Sequence, residues 1–452
     1  MIENKFILDE PPVAIYNRKK QDYIRIPLSA GTSTRLNSDG DLIFEVDNQQ
    51  SYIYLPDSFL YAEFSLYEDA ALTTVLPEAT NITLEHNFFP SLFSSMRLEV
   101  GTQKVETISE SPGLIDTILR TVTITKEDQI KYQDEGWIPD TGSGNLVNNL
   151  APKGGTAADE AKPTKGEYDA IVSRLNKDTK NTGYSRRREL YNKYNAKNVI
   201  QWRLSPLFGY LDYTKISYQL KYKLVLHRTI NNEQIFYGAA GKKAYFKLDK
   251  LEFWIPQIDP SLDIEIMIEK RLNKKDPIPV TFSQRLSSTY SIDARETTWH
   301  FSRVSNTPRF LFLALQKDEP ASFQSNNTRF FLWDPADEIT SIQVLLNQTR
   351  YPIDPMRFDR TTNNYLEGYD AYRNACKKFG TSPQLSPLEW RNIYPIFCFD
   401  LTAQNEDIIK NGCDLTIKII KKNNVKFRVY AVTLLDAKHF IELNDGRMVR
   451  VY

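Results

Sequence analysis

The chain has 452 residues, which is enough for two domains of about 200 residues that each bury a hydrophobic core. Its 57 basic and 57 acidic residues balance, so no net charge draws the chain towards nucleic acid or a membrane surface. The sequence shows no signal peptide and no window near the ~20 apolar residues of a membrane span.

Short strands with one buried face are predicted throughout the first half. Residues 1–20 are mixed polar with two prolines and are expected to form an extended arm. Gly101 is expected to close a hairpin, and Ser111 to cap a short helix that begins at Pro112. Alternating apolar and polar residues predict strands at 41–46, 51–55, 59–66, 97–100, 199–204 and 216–226.

A long insertion interrupts this half. Residues 140–165 are rich in Gly, Asn, Ala, Pro and charged residues and are almost empty of large apolar ones. Such a composition predicts a surface excursion within a domain, not a linker between domains. With its flanks, the insertion covers about residues 125–198.

A small, polar junction near residues 238–243 predicts the boundary between a first unit at 21–240 and a second at 241–452. A helix is predicted at 365–376, and a hairpin turn at Asn423 and Asn424. Further strands are predicted at 245–255, 279–282, 298–301, 309–314, 342–346, 415–420 and 425–432. Many short strands with few helices favour a β-sandwich or barrel.

The two halves contain similar segments in the same order. Residues 95–104 read like residues 341–350, and residues 206–211 read like residues 395–400. A helix-like stretch follows both members of the first pair. This pattern predicts a tandem duplication of one β domain, and chance similarity between short alternating segments is the alternative.

No motif predicts catalysis, a metal site or a cofactor. A metal site needs several ligands that converge, and the four histidines are scattered without paired spacing: His86, His227, His300 and His439. The three cysteines also lack metal-type spacing and are expected to be small core residues of an intracellular protein: Cys376, Cys398 and Cys413. We therefore expect a protein that is not an enzyme and holds no cofactor.

The densest basic cluster is Arg186, Arg187 and Arg188, with Lys193 nearby. Clustered cations of this kind can contact nucleic acid. The tyrosines and the glutamate around them suit an exposed helix or contacts between subunits equally well, so both interpretations stay open.

Several patches of the chain resemble the major capsid proteins of Polinton (Maverick) elements and the related adintoviruses. Residues 53–64 are similar to the early strand pair of that family, and residues 86–100 to its N-F-x-x-S-L-F-S-x-V-x-V segment. Residues 351–352 and 365–372 resemble the insert of its second jelly roll. Residues 397–402, 410–415 and 430–450 are similar to the closing pattern of the family. One departure is that the histidine-containing signature expected before residue 216 is absent.

The resemblance implies an all-β fold: two tandem eight-stranded antiparallel jelly rolls with short helical inserts and long loops. It also implies a homotrimeric, pseudo-hexameric capsomer that tiles an icosahedral shell around a double-stranded DNA genome. The expected partners are further copies of the chain, neighbouring capsomers, a penton-type single jelly-roll protein and, weakly, packaged DNA. The expected location is the virion, after synthesis in the host cytoplasm.

The alternative from another functional class is a carbohydrate-binding or cupin-like β-sandwich protein. A cupin needs several histidines in one barrel, which the histidine count argues against. A lectin uses exposed aromatic residues, which the sequence cannot separate from core Tyr and Phe.

Overall fold

The computed structural model describes residues 18–47, 52–78, 80–125, 127–140, 182–192, 197–218, 220–230, 235–238, 242–274, 277–304, 306–318, 338–347, 349–359, 361–403, 413–442 and 447–451. The predicted N-terminal arm lies outside these ranges up to residue 17, and strand β1 begins at Arg18, inside the predicted arm. Lys193 and nearly all of the predicted excursion at 140–165 also lie outside them.

Two antiparallel sheets enclose the core of the first half. One has the order β8 (Asn198–Arg203), β4 (Phe59–Tyr67), β12 (Tyr245–Pro260), β3 (Tyr52–Ile53) and β9 (Ser217–Tyr218), and β1 (Arg18–Ile26) also pairs with β12. The other has the order β2 (Gly40–Val46), β10 (Tyr222–Arg228), β6 (Phe93–Val100) and β7 (Gln103–Ile108). The rings of Phe44 and Phe253 meet between the sheets, with centroids 5.9 Å apart. A small third sheet pairs β5 (Ile82–Leu84) with β11 (Phe236–Gly238).

The second half repeats this arrangement. One sheet has the order β13 (Ile278–Ile292), β20 (Phe427–Glu442), β15 (Pro308–Lys317) and β18 (Phe397–Asp400), and β21 (Arg447–Val451) also pairs with β20. The other has the order β14 (Glu296–Val304), β19 (Cys413–Lys421), β16 (Ile339–Leu346) and β17 (Thr349–Arg357). The predicted fold of two eight-stranded jelly rolls is confirmed.

Six α-helices connect or decorate the sheets within the described residues: α1 (Pro112–Thr123), α2 (Asp128–Lys131), α3 (Thr182–Tyr191), α4 (Leu262–Asn273), α5 (Leu366–Lys378) and α6 (Pro387–Asn392). Helices α1 and α5 follow the corresponding hairpins of the two halves. Short 3-10 turns lie at Ser33–Arg35, Leu55–Asp57, Phe89–Leu92, Gln133–Glu135 and Gly209–Asp212. The three cysteines are buried, as predicted.

The sheet orders of the two halves match strand for strand. The series β8, β4, β12, β1 corresponds to β18, β15, β20, β13, and β2, β10, β6, β7 corresponds to β14, β19, β16, β17. The first predicted pair of similar segments, residues 95–104 and 341–350, therefore lies in corresponding hairpins of the two halves. The second predicted repeat is wrong, because residues 206–211 lie in the turn after β8, whereas residues 397–400 form β18, the counterpart of β8 itself.

Three local predictions fail for identifiable reasons. The expected hairpin at Asn423 and Asn424 is absent, because β19 and β20 belong to different sheets of the second jelly roll. The run at 216–226 likewise divides into β9 and β10, which join different sheets. Ser111 has φ of 47° in the left-handed region, and its side chain makes no capping hydrogen bond to the described residues.

Strand β12 differs from its sequence assignment to the unit at 241–452. It pairs with β4 from Tyr245 opposite Tyr67 to Trp254 opposite Phe59, and its far end pairs with β1 and β3. The turn-like residues before it indicated a boundary, but the strand after them completes a sheet of the first half.

Side chains of the second half cap the C-terminal turn of α1. The last turn of a helix leaves its carbonyls without partners inside the helix. The Nε2 atom of Gln384 donates to the carbonyls of Arg120 (2.7 Å) and Ile124 (2.6 Å). Two hydroxyls bond the same turn: Tyr372 donates to Thr121 (3.1 Å) and Thr381 to Val122 (3.0 Å). These bonds join the two jelly rolls at one point.

Replacing Gln384 with leucine removes the bond to the buried Ile124 carbonyl, and the Arg120 carbonyl keeps only the bond from the Ile124 N–H (3.1 Å). We expect Gln384→Leu to lower the free energy of unfolding by about 1–3 kcal/mol, measured by urea denaturation. The matched control is Gln103→Leu at an exposed position of β7, expected to change it by less than ~0.5 kcal/mol. Equal stability of the two variants would contradict this role of Gln384.

Candidate assembly surfaces

The three arginines of the predicted basic cluster lie on α3. Some of their side chains point into the protein and others towards solvent. Every fourth residue of this helix faces inwards, so Gly183, Arg187 and Tyr191 are buried. Arg186 is exposed and Arg188 is half-buried. Only these two are left as candidate surface cations among the described members of the cluster.

Arg187 is fully buried, and its guanidinium is used inside the molecule. It donates to the backbone carbonyls of Leu84 (2.9 Å) and Ile138 (2.5 Å) and forms an ion pair with Asp140 (2.9 Å), which is also buried. These bonds attach α3 and the segment before residue 140 to strand β5. The expectation that Arg187 contacts nucleic acid or another subunit is therefore wrong, because its side chain does not reach the surface.

The sequence did contain a signal for this arrangement. Gly183, Arg187 and Tyr191 are spaced by four residues, as expected for one face of a helix. Gly183 also explains how α3 comes so close, because a Cβ atom there would lie 2.1 Å from the carbonyl oxygen of Pro139. The charge of the three arginines alone does not assign them to faces of the helix.

Two neighbouring arginines allow a matched test of this division. Arg187→Gln breaks a buried ion pair and leaves Asp140 without its partner, so we expect a loss of about 3–5 kcal/mol in the free energy of unfolding. Arg186→Gln, at the exposed neighbour, should change it by less than ~0.5 kcal/mol. Urea denaturation measures both. A stable Arg187→Gln variant with weakened DNA binding would contradict the structural role.

A second buried ion pair holds the start of the insertion. Arg120 on α1 contacts Asp116 (2.8 Å) and Glu135 (2.8 Å), and all three side chains are buried. Arg203 on β8 reaches the other oxygen of Glu135 at 2.5 Å. Arginine side chains thus form ion pairs with both carboxylates. These ion pairs hold the start of the insertion against the first jelly roll.

His86 lies in the interior next to this region. Its ring packs edge-on against Trp137, with centroids 4.2 Å apart, and against Tyr394 of the second half at 5.9 Å. Burial, with the nearby Arg187, lowers the pKa of His86 to about 3, so the imidazole is neutral at physiological pH. It serves as a packing residue between the two halves.

Glu106 on β7 makes a second connection between the jelly rolls. Its carboxylate accepts a hydrogen bond from the backbone N–H of Arg285 on β13 (2.6 Å) and one from that of Tyr210 (3.0 Å). The backbones approach closely here, since a Cβ atom on Gly209 would lie 1.7 Å from the carbonyl oxygen of Ser283. Burial raises the pKa of Glu106 to about 7, although Arg285 and the N–H donors lower it.

An aromatic strip lies on the solvent side of the first sheet. It consists of Tyr23, Phe59, Tyr61 and Trp254, with ring centroids of neighbouring members 5.3–5.4 Å apart. The alternate residues of β4 face the core, so Phe59 and Tyr61 share the outer face. The strip is not among the surfaces predicted from the sequence, although aromatic residues on the outward side of an alternating strand are a visible signal for it.

Two cations complete this surface. The guanidinium of Arg25 lies 4.3 Å from the ring centroid of Trp254, and the ammonium of Lys250 lies 5.4 Å from that of Tyr61. Tyr23 is 42% exposed. Tyr61 and Trp254 are half-buried, and Phe59 is 7% exposed. Aromatic rings combined with arginine are the composition found at the centre of protein interfaces. The aromatic strip is therefore the best-formed candidate contact surface of the first jelly roll.

The described residues contain no cluster of three or more His, Cys, Asp or Glu side chains that could hold a metal ion. His227 contacts Asp41 (2.7 Å), and His300 contacts Thr416 (3.1 Å), on different jelly rolls. Of the helices that the structure describes, none combines the length and the apolar character needed to cross a membrane.

The fold is similar to those of several viral capsid structures. A cryo-EM structure of the Sputnik virophage matches with a TM-score of 0.62 and 12% identity, over 99% of this chain and 92% of that one. The mavirus major capsid protein matches with a TM-score of 0.55 and 10% identity, over 99% and 93%. The capsid structure of the virus PBCV-1 matches with a TM-score of 0.53 and 8% identity, over 96% and 97%. At these identities the likeness shows the fold alone.

Comparison with curated protein sequences finds no match. The double jelly roll-like domain family, by contrast, matches residues 161–439, which is more than half of the chain. This range includes most of the second jelly roll and the last strands of the first. The chain belongs to the double jelly roll-like domain family.

Proposed function

We propose that the chain is a structural major capsid protein whose homotrimers form pseudo-hexameric capsomers. The observation that carries this proposal is the presence of two jelly rolls with matching sheet orders in one chain. Three such chains place six similar walls around one axis, which suits a sixfold position in a lattice. The likeness to the Sputnik, mavirus and PBCV-1 capsid structures supports the same role.

Two of the connections between the jelly rolls support this role physically. A capsomer wall requires a fixed angle between the two jelly rolls of each chain. Capping of α1 by Gln384 and bridging by Glu106 hold the two halves at separate places, which restrains rotation about either one. We further propose that the chain divides into its two units between residues 260 and 278, where α4 links β12 to β13.

The finer parts of the proposal rest on the sequence resemblance. We assign the chain to the Polinton and adintovirus branch, with an icosahedral shell around double-stranded DNA and a penton-type single jelly-roll protein as a partner. Its location is then the virion. Arg186 and Arg188 stay candidates for weak contact with DNA or with a neighbouring subunit, because their side chains are at least partly exposed.

The decisive experiment is to measure the mass and shape of the expressed protein. Size-exclusion chromatography with light scattering should give three times the chain mass of 52.4 kDa, and electron microscopy should show hexagonal capsomers or particles. A persistent monomer that forms no particles and binds a glycan array would contradict the proposal and favour a carbohydrate-binding protein.

The aromatic strip supplies a surface variant for the same assay. We expect Tyr23→Ser combined with Arg25→Glu to raise at least tenfold the protein concentration that trimer or particle formation needs. The reason is that interface anchors of this type commonly contribute about 2 kcal/mol or more to the binding free energy, which is ~30-fold in affinity. Ile130→Ser is the control, since Ile130 is apolar and 72% exposed but lies on α2 in the insertion. Normal assembly of the double variant would show that the aromatic strip is not a contact between chains.

A further inference from the structure

An apolar cavity of about 440 Å³ lies where the two jelly rolls and α4 meet. Its wall combines residues of the first half, of α4 and of the second half: Tyr52, Tyr218, Ile258, Ile264, Ile278 and Ile441. The volume is in the ~300–1,000 Å³ range of pockets that bind ligands. An open apolar cavity at the joint between two domains is a site for an apolar occupant.

Helix α4 continues the apolar surface outside the cavity. Ile264 and Ile268 line the cavity, while Leu262 is 61% exposed and Met267 is 64% exposed. The helix thus carries apolar residues both on the side that lines the cavity and on sides that face solvent. Large apolar side chains left exposed on a helix that also lines an apolar cavity indicate a contact site.

The N-terminal end of the described chain lies at the same place. Strand β1 begins at Arg18, which pairs with Pro260 at the end of β12. Pro260 lines the cavity and lies two residues before Leu262, the first residue of α4. Because β1 and β12 are antiparallel, the N-terminal end of β1 lies at the end of β12 from which α4 continues.

We propose that the N-terminal segment of the same chain occupies this cavity, with Phe6, Ile7 and Leu8 as its apolar anchors. Ten residue steps separate Leu8 from Arg18 and span at most about 35 Å, so the anchors can turn back to a cavity that begins beside Pro260. The intervening residues 9–12 are Asp-Glu-Pro-Pro, a polar segment that includes both prolines of the arm.

A tether this short makes the binding intramolecular and therefore favourable even for a weak contact, because the effective concentration reaches the millimolar range. Three large apolar side chains match a cavity walled by isoleucine and tyrosine. The occupied cavity connects both jelly rolls and α4 through one segment. This inference does not depend on the capsid role, since it concerns a single chain.

Disulfide trapping in the full-length protein tests the proposal. The variant Ile7→Cys with Ile216→Cys places one thiol in the segment and one at the cavity rim, where Ile216 is 51% exposed. On mild oxidation at micromolar protein concentration, we expect an intrachain disulfide to form at least tenfold faster than in the control. Non-reducing electrophoresis and peptide mass spectrometry identify the product.

The matched control is Ile7→Cys with Asp259→Cys. Asp259 lies next to Ile258 and Pro260 on β12, within reach of the segment, but it is exposed and points to the opposite side of the strand. Equal trapping rates in the two variants would overturn the proposal. A disulfide between two chains in the rim variant would also overturn it, because the occupant would then come from a second copy.

A second measurement tests the proposal without the cysteine variants, in case these do not fold. Removal of residues 1–17 from the otherwise intact chain should uncover the cavity and raise the fluorescence of a bound apolar dye at least threefold. Adding Ile268→Asp to the shortened chain should reverse that rise, since Ile268 lines the cavity. Unchanged dye fluorescence after the removal would contradict occupancy by this segment.

Discussion

The arrangement of the molecule depends on hydrogen bonds that one jelly roll supplies to a helix of the other. Gln384 donates to the Arg120 carbonyl, which also accepts the Ile124 N–H, and to the buried carbonyl of Ile124 directly after the helix. Leaving such groups unpaired costs more than a typical hydrogen bond contributes. The pairing therefore fixes where the second half must lie relative to the first.

Glu106 acts at a different place and by a different kind of contact. There the backbones of the two halves come close enough that a side chain on Gly209 would collide with Ser283, and the carboxylate accepts the N–H groups that face it. A single connection would leave the jelly rolls free to swivel. Two connections on separate elements make the pair behave as one body, which is what regular packing of many copies requires.

The sequence predicted most strands because alternation reports directly which face of a strand is buried. Residues 59–66 and 97–100 are examples, and the helix at Pro112 was also found. Alternation does not report which sheet a strand joins. For this reason the sequence predicts a hairpin for β19 and β20, which join different sheets, and places β12 in the second unit, although it pairs with strands of the first half.

The candidate surfaces were harder to predict for the same physical reason. The sequence shows that Arg186, Arg187 and Arg188 are charged, but only the direction of each side chain decides which of them meets solvent. The aromatic strip forms only when β1, β4 and β12 lie side by side, although β12 is nearly 200 residues from β4 along the chain. Contacts of this range carry no local signature.

The cap of α1 also has a consequence for biosynthesis. Gln384 is 264 residues from Arg120, so it leaves the ribosome long after α1 does. Until then, the carbonyls of Thr121, Val122 and Ile124 lack the donors that the second half supplies and must bond to water or to another molecule. The first jelly roll is therefore incomplete as a separate unit during translation, and a chain cut short before residue 384 lacks the donor that completes it.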